Sequence, residues 1–78
     1  MQREWFPVKM EIVHEMLQEW GELIITTAGG QSFEIHLGDT KFDTDRRLII
    51  LRAPKATYVI DGDAVESITK HYGHPEDE

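Results

Sequence analysis

The stretch T-Y-V-I-D-G-D-A-V-E-S-I, residues 57–68, decides the fold because it holds a strand, a turn and the beginning of another strand. Its first four residues are β-branched or aromatic, which pleated strands favour, and the Asp61-Gly62-Asp63 cluster is typical of a turn. Val65 and Ile68 are the apolar residues that can anchor the second strand after a tight connection. We therefore expect two short strands here, and the preceding residues must supply the surface against which they pack.

The length and composition predict one small domain that is stabilised by oligomerisation. A chain of 78 residues buries a smaller share of its surface than larger domains do. It has no cysteine, so disulfides and thiolate metal sites cannot supplement the core, which leaves oligomerisation or very good packing. Neither a secretory signal nor an apolar run near the ~20 residues that span a bilayer is present. We expect a cytoplasmic oligomer without membrane contact.

The charge is unevenly distributed. The formal net charge of −7 opposes non-specific attraction to phosphate backbones. Residues 39–55, however, hold five Lys and Arg against three Asp and Glu, so this segment carries +2 and the remaining residues carry −9. An anion-binding surface is expected in this segment if the chain has one, and the alternative interpretation is a solvated face.

The N-terminal part of the chain has the pattern of an amphipathic helix. Apolar residues recur at helical spacing, Pro7 suits a first helical turn, and Gly21 suits the position just past a helix end. This predicts a helix over residues 7–20. Its predicted buried stripe consists of Val8, Ile12, Val13, Met16, Leu17 and Trp20.

The middle of the chain has three strand-like runs. Residues 22–27 and 31–37 flank Ala28-Gly29-Gly30, which predicts a hairpin, and Gly38 predicts a bulge or a sharp bend after which residues 39–42 continue in a new direction. The run 47–53 is apolar on both faces and is predicted to be the central strand, and 22–27 is likewise predicted to be covered on both sides. The last two strands are predicted at 57–60 and 67–71, with a single helical turn between them.

One helix followed by five short strands with tight connections predicts a strongly bent antiparallel sheet that closes into a small barrel. The helix would cover one open end. The expected organisation is a single domain over 1–78, with the helix at 7–20, the barrel at 22–72 and an acidic tail at 75–78.

Two segments resemble the motifs of a known family. The run from Gly30-Gln31-Ser32-Phe33 through Phe42-Asp43 to the apolar residues 48–51 has a glycine turn, an aromatic residue, a Phe-Asp turn and a hydrophobic strand. Residues 60–68, I-D-G-D-A-V-E-S-I, have the spacing of a second motif with isoleucine at both ends, glycine at the third position and an apolar residue at the sixth. Both resemble the Sm-like family of small SH3-like barrels, which have an N-terminal helix, assemble into rings and commonly bind RNA.

The nucleotide-contact positions of that family differ in this chain. Arg47 lies where the family normally has a base-recognising asparagine, Asp45 where an aromatic residue or histidine stacks on the base, and Asp61 where an arginine holds the nucleotide. Asp43 and Gly62 match the family and also have roles in turns. Replacing arginine by aspartate changes the local charge by two units, which disfavours a phosphate at this position.

The resemblance implies two hypotheses of function that we hold equally. The first is RNA binding by a homo-oligomeric ring, with Arg46 and Arg47 as a phosphate clamp because each guanidinium has a planar fork of donors. The second is a protein assembly module that keeps the ring without binding nucleic acid, and a monomeric SH3-like adaptor is a third alternative. The candidate RNA contacts are Asp43, Arg46, Arg47, Asp61 and Gly62, and the candidate subunit contacts are Tyr58, Val59, Ile60 and Ile68.

Other patterns have ordinary explanations. Glu11 and His14 have the spacing of a carboxylate-histidine metal pair, but a single such pair favours an exposed polar face. His71 and His74 lack an organised third ligand, and His36 is expected on the outer face of its strand. No nucleophile-base pair is evident and a small barrel has little room for an enclosed pocket. We expect no enzyme activity, metal, cofactor or small-molecule substrate.

Overall fold

The computed structural model describes residues 8–70, which form one helix and six strands. The elements are α1 Met10–Trp20, β1 Glu22–Thr27, β2 Ser32–His36, β3 Thr40–Asp43, β4 Leu48–Arg52, β5 Thr57–Asp61 and β6 Val65–Lys70. The strands form two antiparallel three-stranded sheets with the orders β2-β1-β6 and β3-β4-β5. The prediction of a mostly β chain with an N-terminal helix is confirmed. Within residues 8–70, no helix is long and apolar enough to cross a membrane.

The bend expected at Gly38 is a turn that divides the second strand in two. β2 pairs with β1, whereas β3 pairs with β4, so residues 37–39 lead the chain from one sheet to the other. Asp39 holds this turn because its carboxylate accepts a hydrogen bond from the backbone N–H of His36 at 2.9 Å. We expected five strands in a closed barrel. Residues 8–70 instead form six strands in two sheets, and no strand pairing joins one sheet to the other.

The helix begins at Met10, and not at Pro7 as predicted. Val8 donates its backbone N–H to the carbonyl of Val65 at 2.7 Å and forms a β-bridge with it. Lys9 is therefore extended, with φ −73° and ψ 151°, and the helix can start only after it. The C-terminal end agrees with the prediction, since Gly21 has φ 86° and its N–H binds the carbonyl of Leu17. Pro7 itself lies outside the described residues.

The core lies between the helix and the two sheets. Its buried apolar residues are Met10, Val13, Leu17, Leu23, Ile25, Ile35, Ile49, Leu51, Ile60 and Val65. The predicted helical stripe is wrong at one residue and incomplete at another, because Ile12 is 45% exposed whereas Met10 is buried. Helical register explains both, since residues 10, 13 and 17 share one face and position 12 points away from that face.

The two strands predicted to be apolar on both faces are the central strands of the two sheets. β1 lies between β2 and β6, and β4 lies between β3 and β5, which confirms the central position of the run 47–53. One face of each strand is fully buried and the other is half-buried, so Ile24 and Ile50 remain partly accessible while Ile25 and Ile49 do not. The expectation of full cover on both faces was therefore only half right.

The last strand starts at Val65, two residues earlier than predicted, and no helical turn precedes it. The connection is a tight turn closed by a hydrogen bond from the Ala64 N–H to the Asp61 carbonyl at 3.1 Å. Val65 is fully buried, so its side chain and its bridge to Val8 draw these residues into the sheet. The strand is described to Lys70, and His71 and the acidic tail at 75–78 lie outside the described residues.

Candidate functional site

The loop between β3 and β4 holds the first group of candidate RNA contacts. Asp43 ends β3 and accepts hydrogen bonds from the backbone N–H of Arg46 at 3.0 Å and from its Nε at 2.9 Å. These bonds lower the pKa of Asp43, the backbone bond first and the guanidinium second. The Arg46 side chain is 74% exposed despite this pair. Asp43 therefore organises the turn, and Arg46 projects from it into solvent.

Arg47 lies in the same loop and is enclosed by carboxylates. It has φ 58°, a left-handed conformation that is uncommon for a residue with a side chain. Its Nη1 and Nη2 bind the two oxygens of Glu11 at 2.7 and 2.8 Å, while Nε and Nη2 bind both oxygens of Asp63. Glu11, Arg47 and Asp63 form a unit that we call the Arg47 cluster. Two carboxylates and one guanidinium give this cluster a net charge of −1.

The titration of the Arg47 cluster follows from these bonds. The hydrogen bond from Arg47 lowers the pKa of Glu11 to about 2, and it also lowers the pKa of Asp63. The same bonds, first to Glu11 and then to Asp63, raise the pKa of Arg47. All three groups are consequently charged at neutral pH. An incoming phosphate would have to compete with two carboxylates that already accept four hydrogen bonds from the five N–H donors of the guanidinium.

The structure brings the two candidate RNA loops together. The N–H of Gly62 donates to the carbonyl of Arg47 at 2.8 Å, so the β5–β6 turn rests directly on the β3–β4 loop. Asp61 is exposed and accepts the N–H of Asp63 at 2.9 Å, which makes it a turn-capping residue. Gly62 is buried against Met10.

Sequence reasoning did not find Glu11 as a partner of Arg47. The spacing of Glu11 and His14 indicated only a metal pair or a polar face, but in the structure the two side chains contact different residues. The His14 ring stacks on Phe42 with a centroid distance of 4.3 Å, and Glu11 turns towards Arg47. Glu11 is an acidic residue in the first helical turn, where the helix dipole favours a negative charge, but this position does not by itself identify Arg47 as a partner.

The candidate subunit contacts divide between surface and core. Tyr58 and Val59 are 43% and 62% exposed, whereas Ile60 is buried and Ile68 packs partly buried against the core. A partner would therefore meet the side chains of Tyr58 and Val59 and only the backbone of Ile60.

A groove of about 380 Å³ lies beside β5, and we call it the β5 groove. The tip of the β1–β2 hairpin forms its other wall, and Phe33 and Tyr58 contact each other in it with ring centroids 5.3 Å apart. Val59 and Ile60 also line it, as does Asp61 at the end of β5. The groove is open, has both apolar and polar residues in its lining and includes residues of the edge strand β5.

A third group of polar side chains lies on the outer face of the β1–β2 hairpin, where His36 was expected. His36 Nδ1 lies 2.9 Å from Asp39, and its Nε2 lies 3.6 Å from Glu22 and 3.5 Å from Glu34. We call these four residues the His36 cluster. The hydrogen bond to Asp39 raises the pKa of His36. Partial burial acts to raise the pKa of Asp39, but hydrogen bonds from Thr40 and His36 outweigh it and lower that pKa.

Comparisons with protein-family models, with curated proteins and with solved structures give no match for this chain. Its function must therefore be argued from the Arg47 cluster, the β5 groove and the His36 cluster themselves.

Proposed function

We propose that the protein is a self-assembling interaction module on an Sm-like fold, in which β5 of one copy pairs with β6 of the next to build a homo-oligomeric ring. The strand pairing supports this proposal. β1 pairs with β2 and β6, and β4 pairs with β3 and β5. Because β2 and β3 follow each other in the chain, together they correspond to the single bent strand of a five-stranded barrel.

The observation that carries the proposal is the exposed apolar edge at β5. Among the described strands, β5 has only β4 as a hydrogen-bonded neighbour and β6 has only β1. The single bridge of Val8 to Val65 occupies the start of the β6 edge, and within residues 8–70 the rest of β6 has no second strand beside it. Unpaired edges favour the addition of another strand, and soluble monomers usually protect them with charge, proline or a bulge. β5 instead presents Tyr58 and Val59 beside the β5 groove. Main-chain bonds along the edge would supply affinity, and the groove would receive side chains of the incoming strand.

Assembly is favoured over nucleotide binding because of the Arg47 cluster. Arg47 lies at the position of the base-recognising asparagine in the Sm-like motif, and it already makes bidentate contacts with both Glu11 and Asp63. Bidentate arginine-carboxylate pairs are among the stronger polar contacts, so these carboxylates keep Arg47 from a phosphate. The cluster instead ties the helix to both loops and so stabilises the framework from which β5 projects.

The assembly proposal is tested by molar mass in solution. The chain has a mass of 9.0 kDa, so size-exclusion chromatography with light scattering should give an integral multiple of that mass. Val59→Lys places a charge on the exposed edge and should shift the protein towards the monomer. Leu37→Lys is the matched control, because Leu37 is 54% exposed but lies in the turn between β2 and β3 and not on β5 or β6. A monomeric wild type at micromolar concentration, or equal effects of the two substitutions, would contradict the proposal.

RNA binding is the second candidate, and the exposure of Arg46 favours it. Arg46, repeated once per subunit around a ring, could make weak phosphate contacts useful through multivalency. Fluorescence anisotropy with oligo-U and oligo-A over a salt series measures this directly, since phosphate contacts weaken steeply with salt. Arg46→Gln should reduce such binding and leave the ring intact. If wild type and Arg46→Gln give the same anisotropy at low salt, RNA binding through this loop is excluded.

A further inference from the structure

The structure assigns a divalent transition-metal site to the His36 cluster, with Nε2 of His36 and one carboxylate oxygen each of Glu22 and Glu34 as ligands and Asp39 as the residue that positions the imidazole. Zn²⁺ is the ion that this mixed nitrogen and oxygen donor set fits best. The site lies on the outer face of the β1–β2 hairpin and does not depend on the proposed ring.

The backbone of the hairpin places the three ligands together. Glu22 is the direct cross-strand partner of His36, and Glu34 precedes His36 by two residues on the same strand, so all three lie on one face. Neighbouring side chains on that face are close enough to share one ligand. The opposite face holds the buried Leu23 and Ile35, which fix the register and therefore the spacing of the ligands.

The two distances from His36 Nε2 to the carboxylate oxygens agree with tetrahedral coordination. A tetrahedral ion with ligand bonds of 2.0–2.2 Å separates its ligands by roughly 3.3–3.6 Å. Nε2 of His36 lies 3.6 Å from Glu22 Oε1 and 3.5 Å from Glu34 Oε2, and all three donor atoms lie within 4.8 Å of one another. These separations are long for direct hydrogen bonds, but they leave room for an ion between the donors.

The position of Asp39 within the cluster also fits a metal-binding histidine. Its Oδ2 lies 2.9 Å from His36 Nδ1, and since an ionised carboxylate can only accept, Nδ1 must carry the proton in this contact. The lone pair of neutral His36 is then on Nε2, the nitrogen that lies 3.6 Å from Glu22 and 3.5 Å from Glu34. Asp39 is itself held by Thr40 Oγ1 at 2.7 Å and by a backbone N–H. Metal-binding histidines almost always have such a partner on their second nitrogen.

Charge and accessibility also agree with a dication at this position. The two ligand carboxylates neutralise its charge, and Asp39 compensates the polarised imidazole. The side chains of His36 and Glu22 are 42% and 40% exposed, so an ion can enter from solvent without rearrangement of the core. Three protein ligands leave a fourth position for water, which is the arrangement of an open zinc site. A protonated histidine paired with three carboxylates is the competing state, and the experiment below separates the two.

The test is isothermal titration calorimetry, in which the full chain is first treated with a chelator and then titrated with ZnCl₂. His71 and His74 could bind zinc on their own, so the titration is done in the His71→Ala, His74→Ala double variant. We expect one ion per chain, and Co²⁺ in place of Zn²⁺ should give the visible absorption of a tetrahedral centre. His36→Ala in this background should abolish binding.

Two further substitutions make the assignment specific. Glu34→Gln should weaken zinc binding, whereas Glu66→Gln, which changes an exposed glutamate on β6, should leave it unchanged. Asp39→Asn should weaken binding about 10–100-fold, as expected for a positioning residue of a metal ligand. Circular dichroism of each variant checks that the fold is retained. A double variant that binds no zinc, or a His36→Ala variant that binds it as tightly as its parent, would overturn the assignment.

Discussion

Gly62→Ala should destabilise the protein because the space beside Gly62 is already filled. A Cβ at this position would lie 2.6 Å from Met10 Sδ, 2.8 Å from Met10 Cγ and 2.8 Å from the Arg47 carbonyl oxygen. The methionine can move, since it is flexible. The carbonyl cannot move freely, because it accepts the N–H of Gly62 itself at 2.8 Å. The added methyl group must therefore either break this hydrogen bond or separate the two loops.

The magnitude follows from the cost of overpacking a tight site, which is about 1–3 kcal/mol. In a domain of this size, 1 kcal/mol lowers Tm by about 4–8 °C, so the loss is easily measured. Urea denaturation followed by circular dichroism, at one fixed protein concentration, gives the free energy of unfolding. A Gly62→Ala variant within about 0.5 kcal/mol of wild type would refute the steric argument.

Gly29→Ala is the matched control for Gly62→Ala. A Cβ at Gly29 would meet nothing within 4 Å, and this turn residue is exposed. Its substitution should be neutral or stabilise by about 0.4–1 kcal/mol, since alanine restricts the unfolded chain. Introducing Gly62→Ala into a Met10→Ala background separates the two clashes. If the Arg47 carbonyl decides the cost, Gly62→Ala remains destabilising when the Met10 side chain is absent.

Two further perturbations test the helix register and the Arg47 cluster. Leu17→Ala should cost about 2–5 kcal/mol in urea denaturation, whereas Ile12→Ala, at 45% exposure, should cost less than half as much, and equal losses would contradict the observed register. Glu11 has its pKa lowered from 4.5 to about 2, so the stabilisation that it contributes is complete above pH 4.5 and is lost as the pH falls towards 2. The Tm should therefore fall less steeply with decreasing pH for Glu11→Gln than for wild type. Parallel curves of Tm against pH would show that Glu11 does not contribute to stability.

The elements that sequence reasoning predicted well are those specified by neighbouring residues. The hairpin of β1 and β2 follows from alternating apolar residues around a glycine turn, and Gly30 has the positive φ that such a turn requires. The end of the helix follows from Gly21. In each case the signal and the structure that it specifies lie within a few residues of each other.

The elements that sequence reasoning misplaced depend on contacts between residues that are far apart in the sequence. Val8 is extended because it bridges to Val65, and this removes the first predicted turn of the helix. β6 begins at Val65 for the same reason. Gly38 predicted the bend between β2 and β3, but the assignment of the two halves to different sheets follows from their pairing with β1 and β4, which is set by the tertiary fold.

The sequence by itself determined the mostly β architecture, the helix and the order of the strands, because periodicity and turn chemistry act over a few residues. It also showed that residues 57–68 form a strand, a turn and a strand. Only the tertiary structure decided what the charged residues near that turn do. Arg47 contacts Glu11 and Asp63 because the helix, the β3–β4 loop and the β5–β6 turn meet in space, and ion pairing depends on that distance and not on separation along the chain.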